Sequence, residues 1–392
     1  MGVFAAARLI LPERKELLSE KTTSQKVSCE LEELMTRTLK VWRSVLLVLV
    51  ALLSVCAPSY ADTNERLVTK LADGVYAIQH KSSGGVSGNS TVIIGDREVL
   101  VVDSGYLPSI AREDIAQIRQ WTDKPVAFLL ITHFHNDHSN GSSTYIAAFP
   151  NLTVIAQEET KKDMDLIQPG NLERTPRDYA EAAAAYKQGK DTDGHALSDA
   201  EMKQVQPLIP VLESVGAEFK TIVYESPTLT FTHKIDIDLG NREVQLLHLG
   251  RGNTPGDAIA YLPKEKIVAA GDLLVYPLPY AGDGYPSEWT ETLHKMGQLD
   301  VTTMVPGHGP ILHDKTYLYL VADLMQSSVD QVRARIRQLG FPGAHTLDEI
   351  KGSVDLKPFR EKFAGDDKDL QAAFDNMAAG LVKITFSEAA QR

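Results

Sequence analysis

Three histidines and one aspartate stand within the six positions 133–138, directly after an apolar run. The run, at 126–131, reads Val-Ala-Phe-Leu-Leu-Ile, and the stretch after it reads Thr-His-Phe-His-Asn-Asp-His. A short apolar run bounded by polar residues is typical of a buried strand, so the donors are expected on a tight loop where that strand ends. Imidazole nitrogens and carboxylate oxygens are ligands that zinc takes in proteins. The stretch therefore predicts a zinc site.

The chain is long, acidic and of ordinary globular composition. Its 392 residues are 43% hydrophobic, and the formal net charge is −12 at pH 7. A chain of this length can bury one large core or two moderate ones. Nucleic-acid binding needs clustered Lys and Arg, and no such stripe follows residue 61, so no nucleic-acid partner is expected. We expect a small-molecule substrate, and the sequence leaves the oligomeric state open.

Residues 35–61 have the three-part pattern of an export signal. Basic residues precede an apolar run at 45–55, and a small-x-small cleavage site ends at Ala61. We predict a leader over 1–61, cleaved near Ala61, and a periplasmic or secreted mature chain. The apolar run is too short for a stable membrane helix, which needs roughly 20 residues. No stable transmembrane helix is therefore expected after signal removal.

Two alternative interpretations of the leader stay open. Met35 is a possible true start, because residues 1–34 have no role in such a signal. Cys56 is a possible lipid-anchor cysteine, although the valine before it is bulkier than such sites usually accept. Both cysteines of the chain, Cys29 and Cys56, lie in the leader. The predicted mature chain thus has no disulfide and no thiolate metal ligand.

After the leader, short strand patterns and helix patterns alternate with turn signals. They form two successive halves of similar order, which predicts an α/β domain over 62–315 with two sheets face to face and helices outside. An Ala- and Glu-rich stretch at 168–218 is predicted as a helical insertion, followed by a strand at 220–224. Residues 316–392 are predicted as a helical C-terminal extension.

Further metal-ligand candidates follow other strand patterns. Asp103 follows the apolar run 99–102, Asp272 lies in Ala-Gly-Asp-Leu, and His308 lies in Val-Pro-Gly-His-Gly-Pro. We place all three in loops at strand ends, where binding residues commonly lie. The pattern predicts that these loops meet around the 133–138 stretch.

Together these motifs resemble the metallo-β-lactamase superfamily, which has His-x-His-x-Asp-His, then Gly-Asp after a strand, then Pro-Gly-His-Gly. The resemblance covers roughly residues 67–313, most of the predicted mature chain. It implies a four-layer αββα sandwich to which the helical insertion and the helical extension are added. It also implies a zinc-dependent hydrolase.

The resemblance assigns roles residue by residue. Five residues match direct ligands of two metal ions: His133 and His135 for the first ion, and Asp137, His138 and His308 for the second. Asp272 matches the carboxylate that bridges both ions. Asp103 matches a buttress behind the histidine loop, an outer partner of the kind that zinc ligands commonly have. A plain turn-forming role is the alternative for Asp103.

One position departs from the family pattern. The third histidine of the first site falls on Asn253, and an amide oxygen binds zinc far more weakly than an imidazole does. His248 could replace it, but this residue stands within an apolar strand pattern and is predicted to be a core histidine. Asn253 is therefore predicted as a weak ligand, with one Zn²⁺ ion tightly bound and a second possible.

The predicted zinc site suits hydrolysis. Zinc lowers the pKa of bound water to about 7 and polarises carbonyl groups. We expect an exported hydrolase in which metal-bound hydroxide attacks the carbonyl of a β-lactam, a lactone or another ester or amide. Asp137 is the expected catalytic residue, because it can orient the hydroxide and pass its proton to the leaving group. The alternative, suggested by Asn253, is a metal- or ligand-binding module of this fold with weak or no turnover.

Aromatic residues near the ligand segments are candidates for a substrate pocket. Phe134 stands between two histidines, and Tyr276, Tyr280 and Trp289 follow Asp272 in a Pro-rich stretch. Aromatic walls with few polar groups suit a small organic substrate. The insertion falls between ligand segments, so we predict that it covers the cleft as a lid.

Overall fold

The computed structural model describes residues 64–82, 87–339 and 347–390, whose backbone forms two β-sheets flanked by helices. The predicted leader, its cleavage site near Ala61 and both cysteines lie outside the described residues. Export and the boundaries of the leader therefore stay predictions.

The first sheet has seven strands that lie side by side in chain order. The first four pair antiparallel, whereas the fourth to the seventh pair parallel. Hairpins suffice for the antiparallel part, and the parallel part needs helical crossovers. The strands are β1 (Asn64–Ala72), β2 (Val75–Ser82), β3 (Ser90–Ile94), β4 (Val99–Val102), β5 (Val126–Ile131), β6 (Thr153–Gln157) and β7 (Leu229–Phe231).

The second sheet has five strands in the order β12-β11-β10-β9-β8. All neighbours pair antiparallel except β11 and β12, which pair parallel. A helix connects these two strands, as a parallel pair requires. The strands are β8 (Lys234–Asp238), β9 (Glu243–Leu247), β10 (Ile259–Leu262), β11 (Ile267–Val275) and β12 (Thr303–His308).

Helices cover the outer face of each sheet. Those behind the first sheet contribute Ala111, Ile115 and Ile118, which share one helix face, to a buried cluster with strand residues. The helices are α1 (Pro108–Trp121), α2 (Asn136–Ser139), α3 (Ser142–Ala148), α4 (Glu158–Lys187), α5 (Asp199–Val205), α6 (Ile209–Phe219), α7 (Pro286–Gln298), α8 (Thr316–Leu339), α9 (Leu347–Lys351), α10 (Lys357–Ala364) and α11 (Lys368–Ala390).

The main core lies between the two sheets. Leu100, Leu130 and Ile155 of the first sheet share one buried cluster with Leu246 and Val305 of the second. Because β4 is buried on both faces, between this core and the outer helices, it reads as a continuous apolar run. Two sheets face to face with helices outside confirm the predicted αββα sandwich.

The insertion is helical, as predicted, and its first part continues a helix that begins before residue 168. α4 starts at Glu158 and continues through Pro169 and Pro176 to Lys187. The strand predicted at 220–224 is wrong, because residues 220–228 form turn and coil. Backbone pairing with β6 begins only where the Thr228 N–H donates to the carbonyl oxygen of Val154, at 2.9 Å.

Two ligand candidates lie in strands and not in loops, contrary to the prediction. β11 continues past residue 270 and contains Asp272, and β12 ends at His308. Between Ala269 and Val275 the pairing of β11 with β12 shifts register, and Gly271 has a φ of +53°. Such an irregularity changes the direction of a neighbouring side chain. The apolar pattern of β11 carries no sign of it.

The C-terminal helices pack behind the second sheet. Leu324 of α8, Phe363 of α10 and Phe374 of α11 belong to the same buried cluster as Trp289 of α7. The backbone N–H of Ser287 at the start of α7 donates to the carboxylate of Glu388 in α11, at 3.0 Å. The extension is thus an integral layer of the fold. Among the described helices, none has the length and apolar character that a membrane span requires.

Candidate metal centre

The predicted ligands from the end of β5, from β11 and from the end of β12 lie in contact with one another. His133 Nε2 lies 2.8 Å from His135 Nδ1, and His138 Nε2 lies 3.3 Å from His308 Nε2. His133 and His138 are fully buried. Imidazole nitrogens that face each other this closely in a buried site are an arrangement that a shared cation would stabilise.

The ligand atoms divide into two adjoining groups. One is formed by His133, His135 and Asp272 and the other by Asp137, His138 and His308, and within each group the ligand atoms lie within 4.8 Å of one another. Asp272 faces both groups. Its Oδ2 lies 3.6 Å from His133 Nε2, and its Oδ1 lies 3.2 Å from His138 Nε2. This position suits a carboxylate that bridges two ions.

Asp103, directly after β4, contacts the histidine loop from behind. Its Oδ1 accepts the Thr132 backbone N–H at 2.8 Å, and its Oδ2 lies 2.7 Å from His138 Nδ1. Because the carboxylate oxygen of Asp103 accepts this hydrogen bond, His138 carries a proton on Nδ1, and its Nε2 faces the ligand group. Asp103 also has a left-handed backbone with a φ of +62°, a conformation that costs a non-glycine residue about 1–3 kcal/mol.

Thr132 extends the same arrangement to His133. The Thr132 hydroxyl donates its only proton to Asp103 Oδ2, at 2.9 Å, and its oxygen lies 3.0 Å from His133 Nδ1. That oxygen therefore accepts from the protonated Nδ1 and leaves His133 Nε2 unprotonated. Asp103 thus sets the tautomers of two ligand histidines, one directly and one through Thr132.

The buried charges favour ionised carboxylates. Burial alone would raise the pKa of Asp137, but the neighbouring His138 and His308 hold it well below its usual range. Burial would lower the pKa of His138, but the carboxylates of Asp137, Asp272 and Asp103 raise it well above its ordinary value. At His133 burial prevails and lowers the pKa. The neighbouring His138 lowers the pKa of Asp272 as well, so the two ligand carboxylates, Asp137 and Asp272, are in the form that binds a metal ion.

Asn253 is fully buried, and it contacts Tyr280, whose ring meets the ring of His135 in the first group. Its Nδ2 donates to the backbone oxygen of Tyr280, at 2.6 Å, whereas its Oδ1 has no hydrogen-bond partner among the described residues. The loop of Asn253 is held by Asp257, whose carboxylate accepts from the N–H and the hydroxyl of Thr254. Burial raises the pKa of Asp257 to about 7. An unsatisfied buried oxygen fits a cation ligand.

His248 lies outside both ligand groups. It follows β9 directly, is half-buried, and its Nδ1 contacts the backbone oxygen of Asp257 at 2.8 Å. Burial lowers its pKa. This histidine supports the loop of Asn253 from one side and does not replace the missing third histidine.

The predicted pocket residues are not equivalent. Tyr276 is 42% exposed and its N–H donates to the backbone oxygen of His308, while the ring of Tyr280 meets the ring of His135 edge to face at 5.7 Å. Phe134 is 7% exposed and packs behind the first sheet. Trp289 differs from the prediction, because its side chain is fully buried in the core and its Nε1 donates to the Leu273 oxygen.

Three residues near the centre have no motif in the sequence. Gln168 of α4 donates to the Phe134 backbone oxygen at 2.5 Å and to the Ser139 hydroxyl at 3.0 Å. Tyr179 of α4 shares a hydrogen bond of 2.9 Å with Tyr106. Asp283 lies 3.4 Å from His135 Nε2. All three act across long sequence separations, so no local pattern indicates them.

The relatives of this chain among known proteins include an alkylsulfatase and a metallo-beta-lactamase. The linear primary-alkylsulfatase of Pseudomonas sp. (strain ATCC 19151) is 25% identical over 271 residues, which cover 66% of this chain and 48% of that protein. This chain thus matches about half the length of that relative. The metallo-beta-lactamase type 2 of Bacillus sp. (strain 170) is 28% identical over 247 residues, which cover 62% of this chain and 74% of that protein.

A solved structure and a family model also match this chain. The metallo-beta-lactamase from Pontibacter korlensis aligns with a TM-score of 0.46 and 18% identity, over 67% of this chain and 99% of that one. The family model of the metallo-beta-lactamase superfamily matches residues 83–308, a range that contains all of the ligand candidates described above. Since this match spans more than half of the sequence, the chain belongs to the metallo-beta-lactamase superfamily.

Proposed function

We propose that the chain is a zinc-dependent hydrolase of the β-lactamase-like type. The observation that carries the proposal is the pair of adjoining ligand groups that share Asp272. Nitrogen and carboxylate donors without any thiolate fit zinc, and imidazole together with carboxylate is typical of catalytic zinc sites. Both relatives named above carry the names of hydrolases.

The second group is proposed to hold the tightly bound ion, and the first group a weaker one. Asp137, His138 and His308 supply a full set to the second ion, whereas Asn253 replaces an imidazole at the first. Zinc held by these residues supplies a Lewis acid for a substrate carbonyl and lowers the pKa of coordinated water to about 7. Asp103 would keep the histidines in the tautomers that bind it.

Asp137 is the proposed catalytic residue. Its side chain is 14% exposed, so it is the ligand carboxylate that reaches the surface of the site, and Asp272 is 6% exposed. The neighbouring histidines keep it ionised, so that its oxygens can accept a hydrogen bond from a nucleophilic water and orient it. A positioned carboxylate of this kind takes a proton from the nucleophile and returns it to the leaving group.

The proposed substrate is a small organic molecule with a carbonyl group in a β-lactam, a lactone or another ester or amide. Tyr276 and Tyr280 are its proposed aromatic neighbours, because both lie beside ligand histidines and keep exposed surface. A sulfate ester is the second candidate. The similarity to the linear primary-alkylsulfatase, which extends over 66% of this chain, favours it.

The test is turnover by the zinc-loaded protein on a chromogenic β-lactam, a lactone panel, 4-nitrophenyl esters and a linear alkyl sulfate. We expect hydrolysis of at least one class, lost on chelation and restored by Zn²⁺. Fully bound zinc without turnover on any class would favour the alternative, a metal- or ligand-binding module. Hydrolysis of the alkyl sulfate alone would replace the carbonyl substrate by the sulfate ester.

Export of the mature chain is a separate proposal. It is supported by the leader pattern at 35–61 and by the absence of cysteines after it. Expression of the full-length sequence with a C-terminal tag, followed by mass spectrometry of the N-terminus in the periplasmic and soluble fractions, tests it. We expect a mature N-terminus near Asp62, and an uncleaved chain confined to the cytoplasm would contradict export.

A further inference from the structure

His135 differs from the other ligand histidines in what supports it. Asp103 contacts His138 directly and His133 through Thr132, but its hydrogen bonds within the described part of the chain do not extend to His135. His135 turns its Nδ1 toward His133, so its Nε2 points away from the first ligand group. A ligand histidine usually donates its outer N–H to a carboxylate, a carbonyl or water, and this fixes the tautomer and the ring orientation.

Asp283 is the acceptor that His135 meets on this outer side. Its Oδ2 lies 3.4 Å from His135 Nε2, and its side chain is 37% exposed. With the proton on Nε2, the lone pair of His135 is on Nδ1, the nitrogen that faces His133. The ring of Tyr280, three residues earlier, touches the same imidazole edge to face.

The same segment also holds Asn253. The Tyr280 carbonyl oxygen accepts Nδ2 of Asn253 at 2.6 Å, and the Tyr285 N–H donates to the carbonyl oxygen of Gly252 at 2.8 Å. The first contact fixes the orientation of the Asn253 side-chain amide, because the carbonyl oxygen of Tyr280 can accept only from the NH₂ group. The amide oxygen of Asn253 is thereby left without a hydrogen-bond partner among the described residues, as a buried atom that can bind a metal ion.

We propose that residues 280–285, here named the clamp segment, position the first-site ligands: Asp283 orients His135, and the Tyr280 backbone orients Asn253. The clamp segment does for this site what Asp103 does for the other histidines. The clamp segment allows the amide oxygen of Asn253 to act as a zinc ligand, although an imidazole would bind more strongly. It does so by holding His135 and Asn253 in one orientation before the ion binds. The inference rests on the metal site of the proposed function and concerns Asp283 as a positioning residue.

The experiment is a zinc titration of metal-free protein against a chromogenic chelator, which resolves the binding constants without any substrate. For Asp283→Ala we expect the affinity of one ion to fall about 10- to 100-fold, the usual loss when an outer partner of a metal ligand is removed. The other ion should stay within about threefold. Asp283→Asn keeps an acceptor oxygen at the same place, so its loss should be smaller.

Asp163→Asn is the matched control. Asp163 lies on α4 close enough to Asp283 and His135 to interact with their charges, and burial raises its pKa to about 6, but no hydrogen bond joins it to His135. The control should leave both zinc constants unchanged. Substitution with Co²⁺ adds a second readout, because the visible spectrum of a first-site cobalt ion should change in Asp283→Ala.

The outcomes separate this inference from the proposed function. Tight zinc binding that is the same in wild type, Asp283→Ala and Asp283→Asn overturns the clamp segment and leaves the hydrolase intact. An equal loss of zinc affinity in Asp163→Asn also overturns it, since removal of any nearby negative charge would then explain the loss. No zinc binding by the wild type would refute the proposed function together with the inference. Graded losses, larger for Ala than for Asn, support it.

Discussion

The two ligand groups of the metal centre share Asp272 but are supported in different ways. The group of Asp137, His138 and His308 is supported through Asp103, a fully buried carboxylate between two strands of the first sheet. In the group of His133 and His135, the imidazole of His135 instead contacts Asp283, a partly exposed carboxylate in a loop. The difference teaches that adjoining ligand groups can be supported by a buried carboxylate on one side and by a partly exposed carboxylate on the other.

The largest effect is expected for the group of Asp137, His138 and His308. Asp137→Asn removes the proposed proton acceptor and a charged ligand, so kcat should fall about 10²- to 10⁴-fold on any substrate of the screen. Steady-state kinetics of the zinc-saturated variant measure it. Asp323→Asn on the exposed face of α8 is the control and should match wild type. A kcat within threefold of wild type would show that Asp137 has no catalytic role.

The second effect concerns the support that both groups share. Asp103→Asn should lower zinc affinity at both groups by about 10- to 100-fold, because Asp103 sets the tautomers of His138 and His133. Competition titration measures the two constants, with Asp96→Asn in the exposed β3–β4 turn as control. A loss confined to one ion would mean that the relay through Thr132 does not matter. No loss at either ion would leave Asp103 with the turn-forming role alone.

The third prediction strengthens the first ligand group instead of weakening either one. Asn253→His should raise the zinc content toward two ions per chain, because imidazole binds zinc more strongly than an amide does. One ring nitrogen can donate to the Tyr280 oxygen in place of Asn253 Nδ2, which leaves the other for the ion. Metal analysis after dialysis against a dilute chelator measures the change. Two tightly held ions already in the wild type would contradict the weak first site.

The smallest effect is expected at the contact between the insertion and the core. Tyr179→Phe removes a hydroxyl that is hydrogen-bonded to Tyr106, and if α4 covers the substrate as a lid, KM should rise by about two- to tenfold, as for the loss of one hydrogen bond. Tyr186→Phe, on the same helix, is the control. Unchanged KM values in Tyr179→Phe, together with unchanged values after deletion of the insertion at 168–218, would end the lid hypothesis.

Much of the fold was predictable because its signals are local. The apolar runs of β4 and β5 and the start of α1 at Pro108 follow directly from residue patterns. The position of Asp272 was not predictable from the sequence, because a register shift in the pairing of β11 with β12 sets the direction of its side chain. The strand predicted at 220–224 failed for the same reason, since a strand needs a partner that the sequence does not name.

At the metal centre the motif supplied the ligands but not their supports. Spacing within 133–138 indicates donors, whereas Gln168 and Asp283 reach the same loop from residues far along the chain. Trp289 illustrates the opposite error. It stands in an aromatic segment that suggests a pocket wall, yet it fills the core behind the second sheet, because α7 turns its apolar face inward.

The left-handed backbone of Asp103 has a thermodynamic consequence. The folded chain carries that conformational cost whether or not an ion is present. An ion that binds only the folded chain adds stability by mass action, about 2.7 kcal/mol at a free concentration of one hundred times the dissociation constant. The melting temperature of this protein should therefore rise with the zinc concentration, and the fraction of folded protein should depend on the zinc available.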